Sequence, residues 1–255
     1  MKRLAAMLPL LLLTAQAQKG PGPVLVPDVS QRTVRIVYSF TGADLLLFGA
    51  IVRPDGRTPA GEPVDIVVVV KGPTESVLVR EKERVAGIWV NAGRLRYRSA
   101  PSFYAIASSK PIERLVDART RAIYELGLDS LQLSPASSAA SDEQVRFQDG
   151  LVALKRRAGL YYADDHAVEI TAGVLYRARV AIPARVPVGR FTAETFLIQN
   201  GRVLAAAVRP IDIQKAGFER FVARAADKDA VLYGLTAVAL SVALGWAAGW
   251  AARRL

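Results

Sequence analysis

The sequence contains no cysteine and a single histidine, His166, among its 255 residues. Without cysteine the chain has no thiol nucleophile, no disulfide and no thiolate metal site. One histidine also excludes any metal centre that needs several histidine ligands. Acidic residues are outnumbered, with 23 Asp and Glu against 34 Lys and Arg, and the formal net charge is +11. At 51% hydrophobic and 22% charged residues, the composition is that of a folded protein with a packed core.

The N-terminus has the pattern of a secretory signal peptide. Lys2 and Arg3 precede a short apolar stretch over residues 4–13, and residues 15–17 (AQA) have the small-x-small form of a cleavage site. The apolar stretch is too short to cross a bilayer as a helix. We therefore predict that residues 1–17 are a cleaved signal peptide, with an uncleaved N-terminal anchor as the alternative.

The C-terminus contains a long segment without charge, from residue 230 to residue 252. At ~1.5 Å rise per residue, a helix of this length crosses the ~30 Å hydrocarbon core of a bilayer. Arg253 and Arg254 follow directly, and the positive-inside rule places such a pair in the cytoplasm. We predict a single-pass inner-membrane protein with a transmembrane helix over 230–252, a cytoplasmic tail over 253–255 and a periplasmic ectodomain.

Small residues recur at every fourth position of this predicted helix: Ala237, Ser241, Gly245 and Gly249. Such a stripe lets two helix backbones approach closely, which is a main source of attraction between helices in a bilayer. The pattern predicts an interface with a second copy of the chain or with a helix of a membrane transporter. The alternative is chance, because the segment is rich in alanine.

The ectodomain is predicted to be mainly β. Residues 33–40 alternate in polarity, whereas residues 44–52 and 64–73 are apolar runs of strand length. Asn200-Gly201 separates two apolar runs and is a strong hairpin signal, and residues 168–183 read as two further strands. Many short strands with regular turn signals predict an immunoglobulin-like β-sandwich in two parts, 18–110 and 164–214.

Residues 111–163, between the two strand blocks, are predicted to hold a pair of helices. The first begins at Pro111 and ends at Gly127; the second begins with a capping box of Ser141 and Gln144 and ends at Gly159. The residues expected to face the core are Ile112, Leu115, Val116, Ile123, Leu126, Phe147, Leu151 and Leu154. The sequence leaves open whether this pair is inserted in one sandwich or bridges two smaller ones. A further amphipathic helix, over 215–229, is predicted to lead into the membrane.

The segment VREKERVAGIWVN, residues 79–91, combines dense charge with an apolar end. As a strand, it places Arg80, Lys82 and Arg84 on one face, and Arg94, Arg96 and Arg98 share a face of the next strand. We predict a hairpin that turns around residues 91–93. With a two-residue loop, Trp89 lies exposed opposite Arg96; with a three-residue loop, Trp89 is buried opposite Leu95. The six basic residues and Trp89 are the candidate binding surface.

Other chemistry in the sequence is sparse. The ectodomain remains basic without the charges at the two ends, which favours an anionic partner such as lipid headgroups, an acidic protein or an oxyanion. Nucleic acid is not expected outside the cytoplasm, and we predict no cofactor and no metal site. Asp164, Asp165, His166 and Glu169 could hold a cation, although a loop before a strand explains them equally. The alternative to a binding module is therefore an envelope enzyme with a site near His166.

Four segments, FTGADLLLFGA, VVVVKGP, VREKERVAGIWVN and PSFYAIASS, together resemble the Alph_Pro_TM family of alphaproteobacterial transmembrane proteins. The resemblance covers the mature chain, including its single C-terminal span. The resemblance implies a membrane anchor and a gene located near genes for sulfite exporters of the TauE/SafE type, and it supplies no catalytic residues. The sequence hypothesis is thus a periplasmic binding or accessory module, for a membrane transporter of the sulfur-anion exporter type, that is not an enzyme.

Overall fold

The computed structural model describes residues 22–36, 41–52, 63–136, 140–215, 222 and 226–252. The predicted signal peptide and the predicted cytoplasmic tail lie outside these residues, as do residues 37–40 of the first predicted strand and residues 216–221 and 223–225 of the predicted helix over 215–229.

Most of the described chain is β-strand. The strands are β1 Val24–Val29, β2 Thr33–Ile36, β3 Gly42–Val52, β4 Asp65–Lys71, β5 Thr74–Val85, β6 Ile88–Pro101, β7 Tyr104–Ser108, β8 Ser134–Pro135, β9 Tyr161–Asp165, β10 Val168–Thr171, β11 Leu175–Pro183, β12 Gly189–Gln199 and β13 Arg202–Lys215. The helices are α1 Ile112–Leu115, α2 Ala118–Tyr124, α3 Ser141–Arg157 and α4 Ala230–Ala252, with a 3-10 turn at Leu128–Ser130. The prediction of a mainly β chain with a C-terminal apolar helix is confirmed.

Two sheets share the main hydrophobic core. One has the strand order β1-β3-β11-β10, and the other has the order β2-β13-β12-β4-β7-β9. Leu45 and Val180 of the first sheet belong to the same buried cluster as Ile66 and Phe191 of the second. Strands from before and after the helical segment are direct neighbours, because β3 pairs with β11 and β4 pairs with β12. The helical segment is therefore inserted in one sandwich.

The position of strand β4 in the fold explains why its sequence contains the apolar run VVVV. It lies between β12 and β7, and Ile66 to Val70 are all 0% exposed. Ile66, Val68 and Val70 face the core between the sheets, whereas Val67 and Val69 face a second core that includes Leu115 and Leu126. A strand covered on both faces needs a continuous apolar run, which an alternating pattern cannot supply.

The hairpin predicted at Asn200-Gly201 has the expected turn. Asn200 (φ 50°) and Gly201 (φ 76°) lie in the left-handed region, and Gln199 pairs with Arg202 across a two-residue turn. This geometry is that of a type I′ turn, which Asn-Gly favours. The two strands predicted over residues 168–183 are β10 and β11, which form an antiparallel pair in which Val168 pairs with Ala178.

The first predicted helix is instead two short helices. Asp117 interrupts it, because its carboxylate accepts the backbone N–H of Thr120 at 2.8 Å and so begins α2. A hydrogen bond from the Thr120 side chain is the main cause of the lowered pKa of Asp117, and the backbone N–H of Thr120 lowers this pKa further. The end at Gly127 is wrong too, since Glu125 at φ 53° is the C-cap. The prediction that Ile123 faces the core is also wrong, because it is 59% exposed.

Helix α3 agrees with the second predicted helix except in its N-terminal cap and at one residue that was predicted to face the core. Ala140 is the N-cap and its side chain makes no capping bond, so the predicted capping box of Ser141 and Gln144 is wrong. At the other end Gly159 donates to Arg156 and Leu160 donates to Lys155, the two bonds of a Schellman motif. Phe147 and Leu151 are buried as predicted. Leu154 is 54% exposed, and its predicted core position is wrong.

Candidate binding surface on the β5–β6 hairpin

The β5–β6 hairpin continues directly from the sandwich. Its two ends are fixed by the Gly72 N–H, which donates to Phe103 O at 2.8 Å, and by the Ser102 N–H, which donates to Pro73 O at 2.9 Å. The strands of the hairpin have 12 and 14 residues, whereas the adjoining β4 and β7 have 7 and 5. The hairpin is therefore an extension between two central strands of the larger sheet.

The predicted turn at residues 91–93 is wrong. The chain reverses at Ala86 (φ 49°) and Gly87 (φ 88°), so that Val85 pairs with Ile88. Both turn residues are left-handed, as a two-residue turn of type I′ requires. Residues 91–93 instead lie inside β6, where the register shifts between Glu81 and Lys82. The glycine signal thus marks a β-bulge rather than a turn.

The observed register still brings the predicted basic residues to one face. Arg80 pairs with Arg94, Leu78 pairs with Arg96, and Arg84 pairs with Trp89. Side chains of paired antiparallel residues lie on the same side of a sheet, and every second residue of a strand does too. We call this outer side the basic face; its six charged members are Arg80, Lys82, Arg84, Arg94, Arg96 and Arg98, and all are exposed.

Trp89 is exposed, although neither predicted pairing occurs. It lies opposite Arg84 on the neighbouring strand, not opposite Arg96 or Leu95. Its exposed fraction is 69%, and Ile88 and Val85 beside the turn are 65% and 52% exposed. We call these three residues the apolar tip. The segment from Val85 to Trp89 carries no charge, so the tip is an uncharged apolar end next to the basic face.

The inner face of the hairpin packs on α3. Val79, Leu95 and Tyr97 form a small core with Phe147 and Leu151. Burial raises the pKa of Tyr97, and the carboxylate of Asp149 raises it further. The Tyr97 hydroxyl donates to Gln144 O at 3.3 Å. Helix α3 therefore holds the base of the hairpin, while the apolar tip extends beyond this core.

Charged contacts reinforce this packing. Arg146 Nη2 lies 3.2 Å from Glu81 Oε2, an ion pair that lacks hydrogen-bond geometry. Lys155 pairs with Glu75 near the other end of the helix. Arg98 of the basic face donates to Ala136 O at 3.0 Å. The acidic residues Glu75 and Glu81 are thus engaged by α3, and the outer face of the hairpin keeps its positive charge.

A groove between the hairpin and α3 was not predicted from the sequence. It encloses about 280 Å³, and three of the residues that line it are Arg80, Arg146 and Arg157. Gly150 and Ala153 form its floor on the helix side. Arg146, Gly150, Ala153 and Arg157 are spaced four, three and four residues apart, which is one helix face. That spacing is the signal that could have identified the groove.

Lys71 is a second site that the sequence did not reveal. Its Nζ lies 2.7 Å from Glu125 Oε2 and 3.3 Å from Glu194 Oε2, beside a pocket of about 320 Å³. The three side chains come from β4, from the end of α2 and from β12, so no sequence spacing links them. The ion pair between Lys71 and Glu125 connects the helical insertion to the sheet.

The acidic residues near His166 make contacts with other side chains of the fold. His166 is exposed in a turn with φ 70°, while the neighbouring Asp165 accepts a hydrogen bond from Ser108 Oγ at 3.2 Å. Glu169 pairs with Arg177 across the β10–β11 ladder. Within the described ranges, no group of three or more His, Cys, Asp or Glu is arranged to hold a metal ion.

Helix α4 is the one helix in the described part of the chain that is long and apolar enough to cross a membrane. Ser241 of the small-residue stripe donates to Ala237 O at 2.9 Å, so its hydroxyl is satisfied within the helix. A Cβ built on Gly245 or on Gly249 meets no atom within 4 Å. Larger residues therefore fit at both glycines of the isolated chain.

The comparison with protein families gives one match. The family model described as putative transmembrane protein (Alph_Pro_TM) covers residues 24–254, which includes the sandwich, the hairpin, α3 and α4. No curated protein matches the chain.

Proposed function

Because the chain belongs to the Alph_Pro_TM family, we propose that it is a single-pass inner-membrane protein whose ectodomain is a periplasmic binding or accessory module. The observation that carries the proposal is the combination of one membrane-spanning helix with a β-sandwich that extends an exposed basic face. A signal-peptide pattern at residues 1–17 and two arginines after residue 252 support the orientation.

A reporter fused after Leu255 tests the orientation. A fluorescent protein that matures only in the cytoplasm should be bright at this position, and alkaline phosphatase, which is active only in the periplasm, should be inactive there. The same reporters fused after Val26, downstream of the predicted signal peptide, should give the opposite pattern. A C-terminal phosphatase that is active, beside a dark fluorescent fusion, contradicts the proposed topology.

The partner is proposed to be a membrane transporter of the sulfite or sulfur-anion exporter type, or a second copy of the chain. The small-residue stripe of α4 supports a helix–helix contact in the bilayer. The exposed cationic surface of the hairpin also suits an anionic solute or an acidic partner surface. Affinity isolation of the full chain from solubilised membranes, with identification of the proteins that copurify, tests this assignment.

Replacing both glycines of the stripe sharpens that experiment. Gly245→Ile with Gly249→Ile should preserve insertion, because isoleucine is at least as apolar, but should block close approach of a second helix. Ala243→Ile with Ala247→Ile is the matched control, since at ~100° per residue these positions lie on the opposite face. Loss of the copurifying protein or of self-association only in the glycine variant supports the interface. Equal behaviour of the two variants contradicts it.

We also infer that the sandwich is immunoglobulin-like. The orders β1-β3-β11-β10 and β13-β12-β4-β7 correspond to the A-B-E-D and G-F-C-C′ orders of variable-type immunoglobulin sheets. In this assignment the β5–β6 hairpin is inserted between C and C′, and the helices are inserted between C′ and D. An experimental structure with a different strand order would contradict the inference.

A further inference from the structure

The apolar tip of the β5–β6 hairpin belongs to none of the three hydrophobic cores of the described residues. Val85 and Ile88 pair across the turn, and Trp89 follows opposite Arg84. All three side chains are more than half exposed. The core that α3 forms with the hairpin involves Val79 and Leu95, which lie farther from the turn. Large apolar side chains that are adjacent and exposed mark an interaction site more often than isolated ones do.

The basic face determines what chemistry the tip meets. Its six cations occupy one side of the two strands directly behind the tip. Arg84 is the first, since it pairs with Trp89, and Lys82 and Arg94 follow on the same side. Trp89 lies on this face, whereas Val85 and Ile88 lie on the other side of the hairpin, next to the exposed Glu83. A surface that covers Trp89 therefore also meets a dense positive field, which favours an anionic surface.

An apolar tip next to a row of cations matches the profile of a bilayer interface. Tryptophan is enriched at the level of the headgroups, where its ring is buried and its N–H remains hydrated. Arginine and lysine next to it can contact lipid phosphates while their aliphatic stems lie along apolar groups. A protein partner usually covers about 800 Å² on each side, which is far more apolar contact than three side chains of a narrow turn provide.

We propose that the tip of the β5–β6 hairpin docks on anionic phospholipid, with Val85, Ile88 and Trp89 entering the headgroup region and the basic face contacting phosphates. The membrane helix α4 is part of the same chain, so it keeps the hairpin near a bilayer at high effective concentration. Docking would therefore be an intramolecular equilibrium that responds to lipid charge. The proposal rests on membrane anchoring and does not depend on the orientation or the transporter partner proposed above.

The test measures tryptophan fluorescence in a full-length variant in which Trp89 is the only tryptophan. The sequence has three tryptophans, and Trp246→Phe with Trp250→Phe leaves Trp89 alone. This variant is placed in nanodiscs of phosphatidylcholine or of phosphatidylcholine with phosphatidylglycerol, with and without lipids brominated in the acyl chain. In the anionic discs we expect a blue-shifted emission that bromolipid quenches, and in the neutral discs a water-exposed emission that it does not quench.

Charge is then removed in matched variants. Lys82→Ser, Arg84→Ser and Arg94→Ser remove three cations of the basic face. At ~fivefold in partitioning per cation near an anionic surface, this change should lower the ratio of docked to free hairpin about 100-fold. The control variant, Arg179→Ser, Arg185→Ser and Arg202→Ser, removes three exposed arginines from other parts of the sandwich and should leave quenching unchanged. High salt added to the parent chain should reduce quenching without any substitution.

Three results would overturn the proposal. Trp89 emission that is identical and unquenched in both kinds of disc shows that the tip stays in water. Quenching that is equal in neutral and anionic discs shows that the basic face has no part in docking. A Trp89 that is unquenched in anionic discs, but crosslinks to a second protein from a photoreactive residue at position 89 in native membranes, assigns the tip to a protein partner instead.

Discussion

The sandwich and the β5–β6 hairpin are both built from β-strands, but the sequences of those strands differ because the strands are covered differently. In β4 five successive apolar residues are buried, because one sheet lies against one face and the inserted helices cover the other. In the hairpin only the inner face is buried, at Val79, Leu95 and Tyr97, and the opposite face carries cations. Packing therefore dictates the residues of β4, whereas the outer residues of the hairpin are free to serve binding.

The largest difference in stability between the two regions is expected when one aromatic residue of each is replaced with alanine. Phe191 is 0% exposed and its ring centroid lies 5.9 Å from that of Phe103, so Phe191→Ala should destabilise the fold by about 3–5 kcal/mol. Trp89→Ala, at a side chain that is 69% exposed, should cost no more than ~0.5 kcal/mol. Urea unfolding of the full chain in detergent, followed by far-UV circular dichroism, measures both. Equal losses would mean that the tip is part of the folding core.

Two glycines extend the comparison to the backbone. A Cβ on Gly49 would lie 2.5 Å from Val26 O and 2.8 Å from the Tyr176 ring, so Gly49→Ala must displace both β1 and the tyrosine. Overpacking of this kind costs about 1–3 kcal/mol. A Cβ on Gly93 would lie 3.1 Å from the Phe147 ring and 3.3 Å from a Glu81 carboxylate oxygen. Both are side-chain atoms, and they need to move by only a few tenths of an ångström. Gly93→Ala should therefore cost less than Gly49→Ala in the same unfolding assay, and the reverse order would contradict this explanation.

Ionisation of the partly buried Tyr162 should have the next largest effect on the stability of the sandwich. The pKa of Tyr162 is raised from its ordinary value of 10 to about 12, mainly by burial and in part by the nearby carboxylates of Asp164 and Asp44. The folded state thus favours the neutral phenol. Its contribution to stability is complete below pH 10, where the unfolded chain begins to ionise, and is lost as the pH rises from 10 through 12.

Tyr162→Phe tests this dependence. The substitution removes the hydroxyl that donates to Ala181 O at 3.0 Å, so the variant should be less stable at pH 7. Between pH 9 and pH 11.5, however, it should lose less stability than the parent, because one ionising group is gone. Urea unfolding of both proteins at several pH values gives the two slopes. Parallel slopes would show that Tyr162 does not contribute to alkaline unfolding.

The sequence predicted those features that depend on local patterns. Asn200-Gly201 specified its turn, the run of valines specified a strand buried on both faces, and the uncharged stretch 230–252 specified α4. In each case neighbouring residues carry the whole signal. The pairing of β3 with β11, more than 120 positions apart, has no such signal, because any apolar strand can pair with any other.

The candidate surface shows the same limit. Periodicity predicted that the six cations would share a face, and they do. Asparagine and glycine favour turns, so the sequence predicts the turn at residues 91–93. The chain instead reverses at Ala86-Gly87, where Ala86 lies in the left-handed region. What the local signal missed is the packing of the inner face on α3, which fixes the register and which only the folded chain contains.

The smallest effect on stability is expected at the basic face itself. Arg94, Arg96 and Arg98 are exposed, and of these Arg98 donates one hydrogen bond, to Ala136 O at 3.0 Å. Replacing all three with serine should change the free energy of unfolding by no more than ~0.5 kcal/mol per site, because exposed substitutions seldom matter more. Leu95→Ala is the matched control on the inner face of the same strand, where a side chain 2% exposed should cost about 2–5 kcal/mol. If the arginine variant unfolds as readily as the leucine variant, the cations stabilise the hairpin and are not a surface kept for binding. If it folds normally but loses a salt-sensitive association with an anionic partner, the division between a packed inner face and a functional outer face is supported.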